Sequence, residues 1–396
     1  MLGNCIIRTP VDDDKRLDVG VLCEALLFFS KTHVVLDQGT LRLFAEGGFL
    51  DDFIEMLERG YLSASYTADM PGLVSQTNGG LREHKFTMFT ITADPEYGPI
   101  RRPSDAMFLQ LVRSLGDRGK AKDYVRRLSR LVSFREHDAS ASLVRKAVDD
   151  LSDRAFAGEI ARMSLEKLGV PANEIGPFRV AIFLTSEGSF AIDTNINFDR
   201  LRKFTGATAP DLGPNHLFPG VGDARLDISL AAEHNAAFIG NEGDRRVVEM
   251  ILSKALGISP DNQRAPRAIY DFISLDTPTV REVINSGERS PREFMDLLGN
   301  ASSFKKWLNE QNPDKDLIQE MLREKAKTGW LESLPVRLAR FGLFSAAGLL
   351  ADMVLPNSSI ALGAIDGFLL GKLADSWRPH FFVENKLRGF LDPQNG

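Results

Sequence analysis

The residues whose types could carry chemistry are few and loosely spaced. Glu384-Asn385-Lys386, with Asp366 or Asp375 upstream, supplies two carboxylates and a lysine, the set that holds Mg²⁺ and polarises a phosphodiester. His84, His137-Asp138 and Asp149 have the composition of a metal-hydrolase set. Asp193–Asp199 (DTNINFD) begins like a calcium loop, but Phe198 stands where the sharp turn needs Gly and Phe204 where a bidentate Glu is needed. Asn197 instead reads as the cap of a helix carrying Leu201 and Phe204. A glycine-rich phosphate loop, a dinucleotide fingerprint, His-Glu-x-x-His and a nucleophile elbow are all missing. Acidic and basic triplets arise readily by chance in a chain that is 26% charged. The expectation is therefore a non-enzymatic protein with no cofactor and no metal, and a metal-dependent nuclease on Glu384, Lys386 and Asp366 is the enzymatic alternative.

Binding features stand out more clearly. The chain of 396 residues carries 48 Lys+Arg against 54 Asp+Glu, a net charge of −6, yet 101–135 holds ten basic residues against three acidic ones. Within it Arg118, Lys122, Arg126, Arg127 and Arg130 would mark a basic helix able to meet nucleic-acid phosphates or anionic lipid headgroups. The stretch 12–69, with twelve carboxylates against five basic residues, offers the same helix partners inside the chain. Overall acidity argues against a dedicated nucleic-acid coat protein. Nucleic acid is thus an unfavoured partner.

The stretch 341–371 contains only two charges, Asp352 and Asp366, and is divided by Pro356-Asn357, which predicts two apolar helices joined by a turn. Gly363, Gly367 and Gly371 recur every four residues, so three positions without side chains share one face that another backbone can approach. Trp330 and Trp377, with Arg337, Arg340, Lys372 and Arg378, flank the hairpin as interfacial aromatics and cations flank a bilayer. Each arm falls short of the roughly 20 apolar residues of a membrane span. A packed hairpin meeting a protein partner or a second copy is the favoured expectation, with conditional contact to a membrane surface as the alternative.

The elements that position these features follow from periodicity and punctuation. Residues 21–37 predict either a buried hairpin or a helix followed by a strand. Helical spacing over 41–59 breaks at Gly47-Gly48 and stops at Gly60. Strands are expected near 25–36, 61–67, 85–92 and 178–193, the last a hairpin turning at Ser186-Glu187-Gly188 and rejoining the N-terminal sheet. Helices fill 104–168 as an insertion. The stretch 210–222 (PDLGPNHLFPGVG) is rich in Pro and Gly and predicts a linker. Beyond it, 223–396 is expected to be all helical, with a capping box at Ser290-Pro291-Arg292-Glu293. The fold class is thus α+β and mostly helical: an α/β module over 1–209 with a helical insertion, then an all-α C-terminal domain with the apolar hairpin. Two cysteines, Cys5 and Cys23, are too few for a disulfide framework, and with no basic–apolar–small leader they predict a reducing cytoplasm.

Several stretches together resemble a group of uncharacterised bacterial proteins: Ala25–Gly39, Asp193–Phe198, Asp223–Glu233, and Ala361–Leu391 with its Gly-Ala-x-Asp core and Trp377-Arg378-Pro379. The resemblance covers about a third of the chain and its motifs are of structural type. It implies a binding or effector role among proteins of mobile and phage-defence regions, and carries no catalytic residue.

Overall fold

A computed structural model describes residues 2–11, 16–135, 140–186, 188–240 and 280–301, with isolated positions at 244, 246–248, 250, 251, 386 and 390. The expected apolar hairpin 341–371, with Gly363, Gly367 and Gly371, and both flanking tryptophans lie outside the described residues.

Two sheets organise the described chain, beside a short ribbon of β6 (Ala93–Asp94) and β7 (Gly98–Pro99) and a one-turn helix α8 (Ala172–Ile175). The first is parallel throughout, with strands β1 (Leu2–Arg8), β2 (Phe29–Leu36), β3 (Ser63–Tyr66), β8 (Val132–Phe134) and β11 (Ala236–Ile239) in the order β11-β1-β2-β3-β8. Each crossover among β1, β2, β3 and β8 is helical: α1 (Val19–Phe28), then α2 (Gln38–Glu46) and α3 (Leu50–Glu58), then α4 (Pro103–Leu115) and α5 (Arg118–Leu131). Residues 21–37 are therefore a helix running straight into a strand. The break at Gly47-Gly48 separates α2 from α3, and Gly60 stops α3 with φ +70°.

Alternation along the strands feeds two cores. Cys5, Ile7, Val34, Leu36, Ala64 and Tyr66 face one way and pack with helices α1 to α5. Ile6, Val35 and Phe238 face the other way, onto a second core built from α6 (Ser140–Leu151), α7 (Arg154–Lys167), α10 (Pro219–Glu233) and a second sheet. The uninterrupted apolar run Val34-Val35-Leu36 is what a strand covered on both faces requires.

The second sheet is antiparallel, in the order β4 (Asp69–Asn78), β5 (Leu81–Thr90), β10 (Ser189–Thr194), β9 (Val180–Ser186). Gly79 and Gly80, both with positive φ, form the tight turn between β4 and β5. The β9–β10 hairpin forms as expected but does not rejoin the parallel sheet. Its two strands run in opposite directions and cannot both extend an all-parallel ladder, whereas β5 presents a free antiparallel edge; Phe190 pairs there with His84 and packs 5.6 Å from Phe86.

Two further findings differ from the sequence expectation. The Pro/Gly-rich stretch 210–222 is not an exposed linker, because Leu212, Leu217, Phe218 and Val221 are fully buried. And β11 is a strand inside the stretch expected to be all helical, completing the parallel sheet beside β1. Two short helices, α11 (Val280–Asn285) and α12 (Pro291–Asn300), pack on α1. Gly20 makes the first contact, since a Cβ there would lie 2.4 Å from the Arg281 carbonyl oxygen.

Candidate functional site

In open parallel sheets, ligands settle at the carboxyl ends of the strands. Here that edge carries Arg8 at the end of β1 and Asp37 just after β2, with Asp223 and Asp227 one turn apart on α10. Asp37 also caps α2, its Oδ1 accepting from the Thr40 amide at 2.7 Å. The Arg8 guanidinium donates to both oxygens of Asp227 at 2.5 and 3.2 Å and to Asp223 Oδ1 at 3.0 Å, and lies 3.6 Å from Asp37. Burial alone would lower the Arg8 pKa, but the Asp227 and Asp223 carboxylates outweigh it and hold the guanidinium charged. Burial pushes Asp227 up to about 6 against the pull of Arg8, and pushes Asp223 up in the same way. This cluster ties α10 to the sheet, with the protein's own cation at its centre. A second pair, Arg225 to Asp150 at 2.5 and 2.6 Å, ties α10 to α6.

A second polar group lies on the sheet face beside α10. His33 has Ser63 Oγ at 2.9 Å from Nδ1 and Ser65 Oγ at 2.9 Å from Nε2, and its ring stacks on His234 at 4.3 Å. Burial, His234 and Arg135 together bring the His33 pKa down to about 4, leaving a neutral ring that is a weak base at neutral pH.

The expected basic helix is α5, and much of its charge is engaged. Arg127 reaches Asp51 at 3.2 Å and Glu58 at 3.3 Å on α3, Arg126 pairs with Asp123 at 3.0 Å, and Arg118 lies over the Tyr97 ring. Lys122 and Arg130 are exposed. Of the expected metal-nuclease set, Lys386 is exposed, whereas Asp366 and Glu384 lie outside the described residues, as do Gly363, Gly367, Gly371, Trp330 and Trp377. His84 is buried with Ser75 Oγ 2.8 Å from its Nδ1, while Asp149 is exposed on α6. Asn197 caps α9 (Phe198–Thr205) by accepting from the Arg200 amide, as its place in the calcium-like stretch suggests. Among the described residues, no group of three or more His, Cys, Asp or Glu is placed to hold a metal, and no helix is long and apolar enough to cross a membrane.

The most exposed apolar surface is elsewhere. Six large apolar side chains stand exposed among the described residues, and five of them belong to the antiparallel sheet: Val74, Leu81, Phe89, Phe183 and Leu184. On its outer face the Phe89 ring lies across Gly72, where a Cβ would meet it at 2.3 Å. Neither this sheet surface nor the Arg8 cluster is singled out by sequence reasoning, although two local signals exist: an arginine closing the apolar run Cys5-Ile6-Ile7, and an uncharged run over 180–186.

No known family model, curated protein or solved structure matches the chain.

Proposed function

We propose that the chain is a non-enzymatic binding protein that acts through protein–protein contacts of its antiparallel sheet, in the bacterial antiviral setting that the family resemblance implies. One observation carries the reading: among the described residues, five of the six exposed large apolar side chains lie on this single sheet. Isolated exposed apolar residues are ordinary, but their concentration on one element is the usual mark of an interaction surface. The apolar 341–371 hairpin, should it also meet a partner, would add a second contact.

Photoreactive benzoyl-phenylalanine at position 89, on β5, and at position 122, on α5, tests this in living cells. The expected result is a protein adduct at position 89 and none at position 122. Absence of any adduct at position 89 removes the reading.

A further inference from the structure

We propose that the exposed side of α5 is a binding surface for single-stranded nucleic acid, on which Lys122, Arg126 and Arg130 meet phosphates and Phe134 of β8 stacks on a base.

The fold sorts the cations of α5 by side. Ala121 and Leu128 are fully buried and mark the face turned to the core. At about 3.6 residues per turn, Lys122, Arg126 and Arg130 fall on the opposite side, roughly 6 Å apart along the axis. All three are exposed. Arg127 sits on the flank nearer α3, and it takes Asp51 and Glu58 as partners. The acidic stretch 12–69 thus neutralises that flank and not the outer row. Among the described residues, Lys122 and Arg130 have no carboxylate partner. Arg126 has only Asp123, in an exposed pair that is exchanged at little cost. Asp105 and Asp117 are already engaged with backbone amides at the starts of α4 and α5. Arg118, exposed over the Tyr97 ring, extends the row by one turn.

A row of cations without counter-charge fits a row of anions, which nucleic-acid phosphates and anionic lipid headgroups both offer. A helix that settles on lipid buries apolar side chains beside its cations. Neither α4 nor α5 has an exposed large apolar side chain, so a bilayer would gain electrostatic contact alone. Nucleic acid needs no such burial, and a stacked strand carries a phosphate about every 3.4 Å along its axis, so each cation of the row finds one.

Phe134 indicates an unpaired strand. It is the one exposed large apolar residue outside the antiparallel sheet, 39% exposed on β8, the outermost strand of the parallel sheet. Val132, two residues earlier, packs among α1 to α5, so alternation turns Phe134 to the side of the sheet that α5 covers. Tyr66 supports its ring in an edge contact at 6.1 Å. An aromatic ring beside a phosphate-binding row is the arrangement on which unpaired bases stack, whereas a duplex keeps its bases stacked on one another.

The test measures fluorescence anisotropy of labelled oligothymidylate with the full chain. Binding should weaken roughly 20-fold between about 50 and 200 mM salt, as expected for three neutralised phosphates of a single strand. Reversing the row with Lys122→Glu, Arg126→Glu and Arg130→Glu together should abolish binding with unchanged circular dichroism. Arg154→Glu, Arg179→Glu and Lys203→Glu together change net charge equally at exposed positions elsewhere and should leave binding nearly intact. Phe134→Ala should weaken binding about fivefold or more without altering the salt dependence. Absence of binding at low salt, binding insensitive to salt, a reversed row that still binds, or equal loss in the two triple variants overturns the surface. Phosphatidylserine vesicles bound by a chain that ignores oligothymidylate overturn the nucleic-acid assignment, and a Phe134→Ala protein that binds like the wild type overturns the single strand.

Discussion

Arg8→Met removes the cation that three carboxylates share. Asp37 keeps its bond to the Thr40 amide and Asp223 is 38% exposed to water, but the Asp227 side chain is 1% exposed and loses its bidentate partner. Breaking a buried pair by deleting one member costs about 3–5 kcal/mol, because the remaining charge stays desolvated. For a chain of this size that corresponds to a fall in Tm of roughly 4–6 °C. The sign of the pH dependence follows from Asp227. Its pKa is already raised to about 6 in the fold, so its contribution to stability is greatest at acid pH and falls as pH rises through that value. Without Arg8 the value climbs further, and the damage shrinks on acidification. Urea unfolding at pH 7.5 and pH 5 should therefore show a loss of about 3–5 kcal/mol at the higher pH and a clearly smaller one at the lower. Arg8→Met combined with Asp227→Leu should be more stable than Arg8→Met alone, since an apolar replacement leaves no orphaned charge. A loss that is equal at both pH values, or a double variant worse than the single, would refute the view that desolvated charge sets the cost.

Three other outcomes are expected. Gly20→Ala should destabilise by roughly 1–3 kcal/mol, because its Cβ meets Arg281 backbone atoms that cannot swing aside, and a chemical melt measures it. His84, buried and brought down to about 4 from 6.5 by burial and then Arg82, binds its proton in the unfolded state first. Stability should fall as pH drops from 6.5 towards 4, and His84→Leu should flatten that fall by roughly 1–2 kcal/mol, read from unfolding curves across the interval. Arg127→Glu breaks ion pairs to Asp51 and Glu58 that are solvent-exposed, so its stability cost should not exceed about 1 kcal/mol in thermal unfolding.

What the sequence made legible was local. The break at Gly47-Gly48, the stop at Gly60 and the turn at Gly188 each need a positive φ that glycine supplies, and they sit where the punctuation places them. The capping box at Ser290 forms, with its hydroxyl accepting from the Glu293 amide and Glu293 accepting from the Ser290 amide at 2.8 Å. What stayed hidden depends on distance along the chain. Arg8 meets Asp223 and Asp227 across more than 200 residues, and no periodicity reports such a pairing. The strand β4 hides behind Pro71 and Gly72, which read as loop and are tolerated only because that strand is an edge. The stretch 210–222 has linker composition, yet its Leu212, Leu217 and Phe218 are apolar enough to be drawn into the second core.

The contrast between the two sheets explains why interaction should fall to the antiparallel one. The parallel sheet is covered on both faces, its outer strands β8 and β11 are three and four residues long, and its carboxyl ends are locked by the Arg8 cluster. Short edges offer few backbone groups to a visiting strand. The antiparallel sheet has one long edge interrupted by Pro71 and another, β9, that is seven residues long and shifts register against β10 between Ser189 and Phe190. Natural edges of that length are usually guarded by an inward charge, a bulge or a lysine. Pro71 interrupts β4 and the register shift between Ser189 and Phe190 skips Thr185 on β9, so the feature this sheet leaves open is its outer face, where alternation and register place Val74, Leu81, Phe89 and Phe183 together.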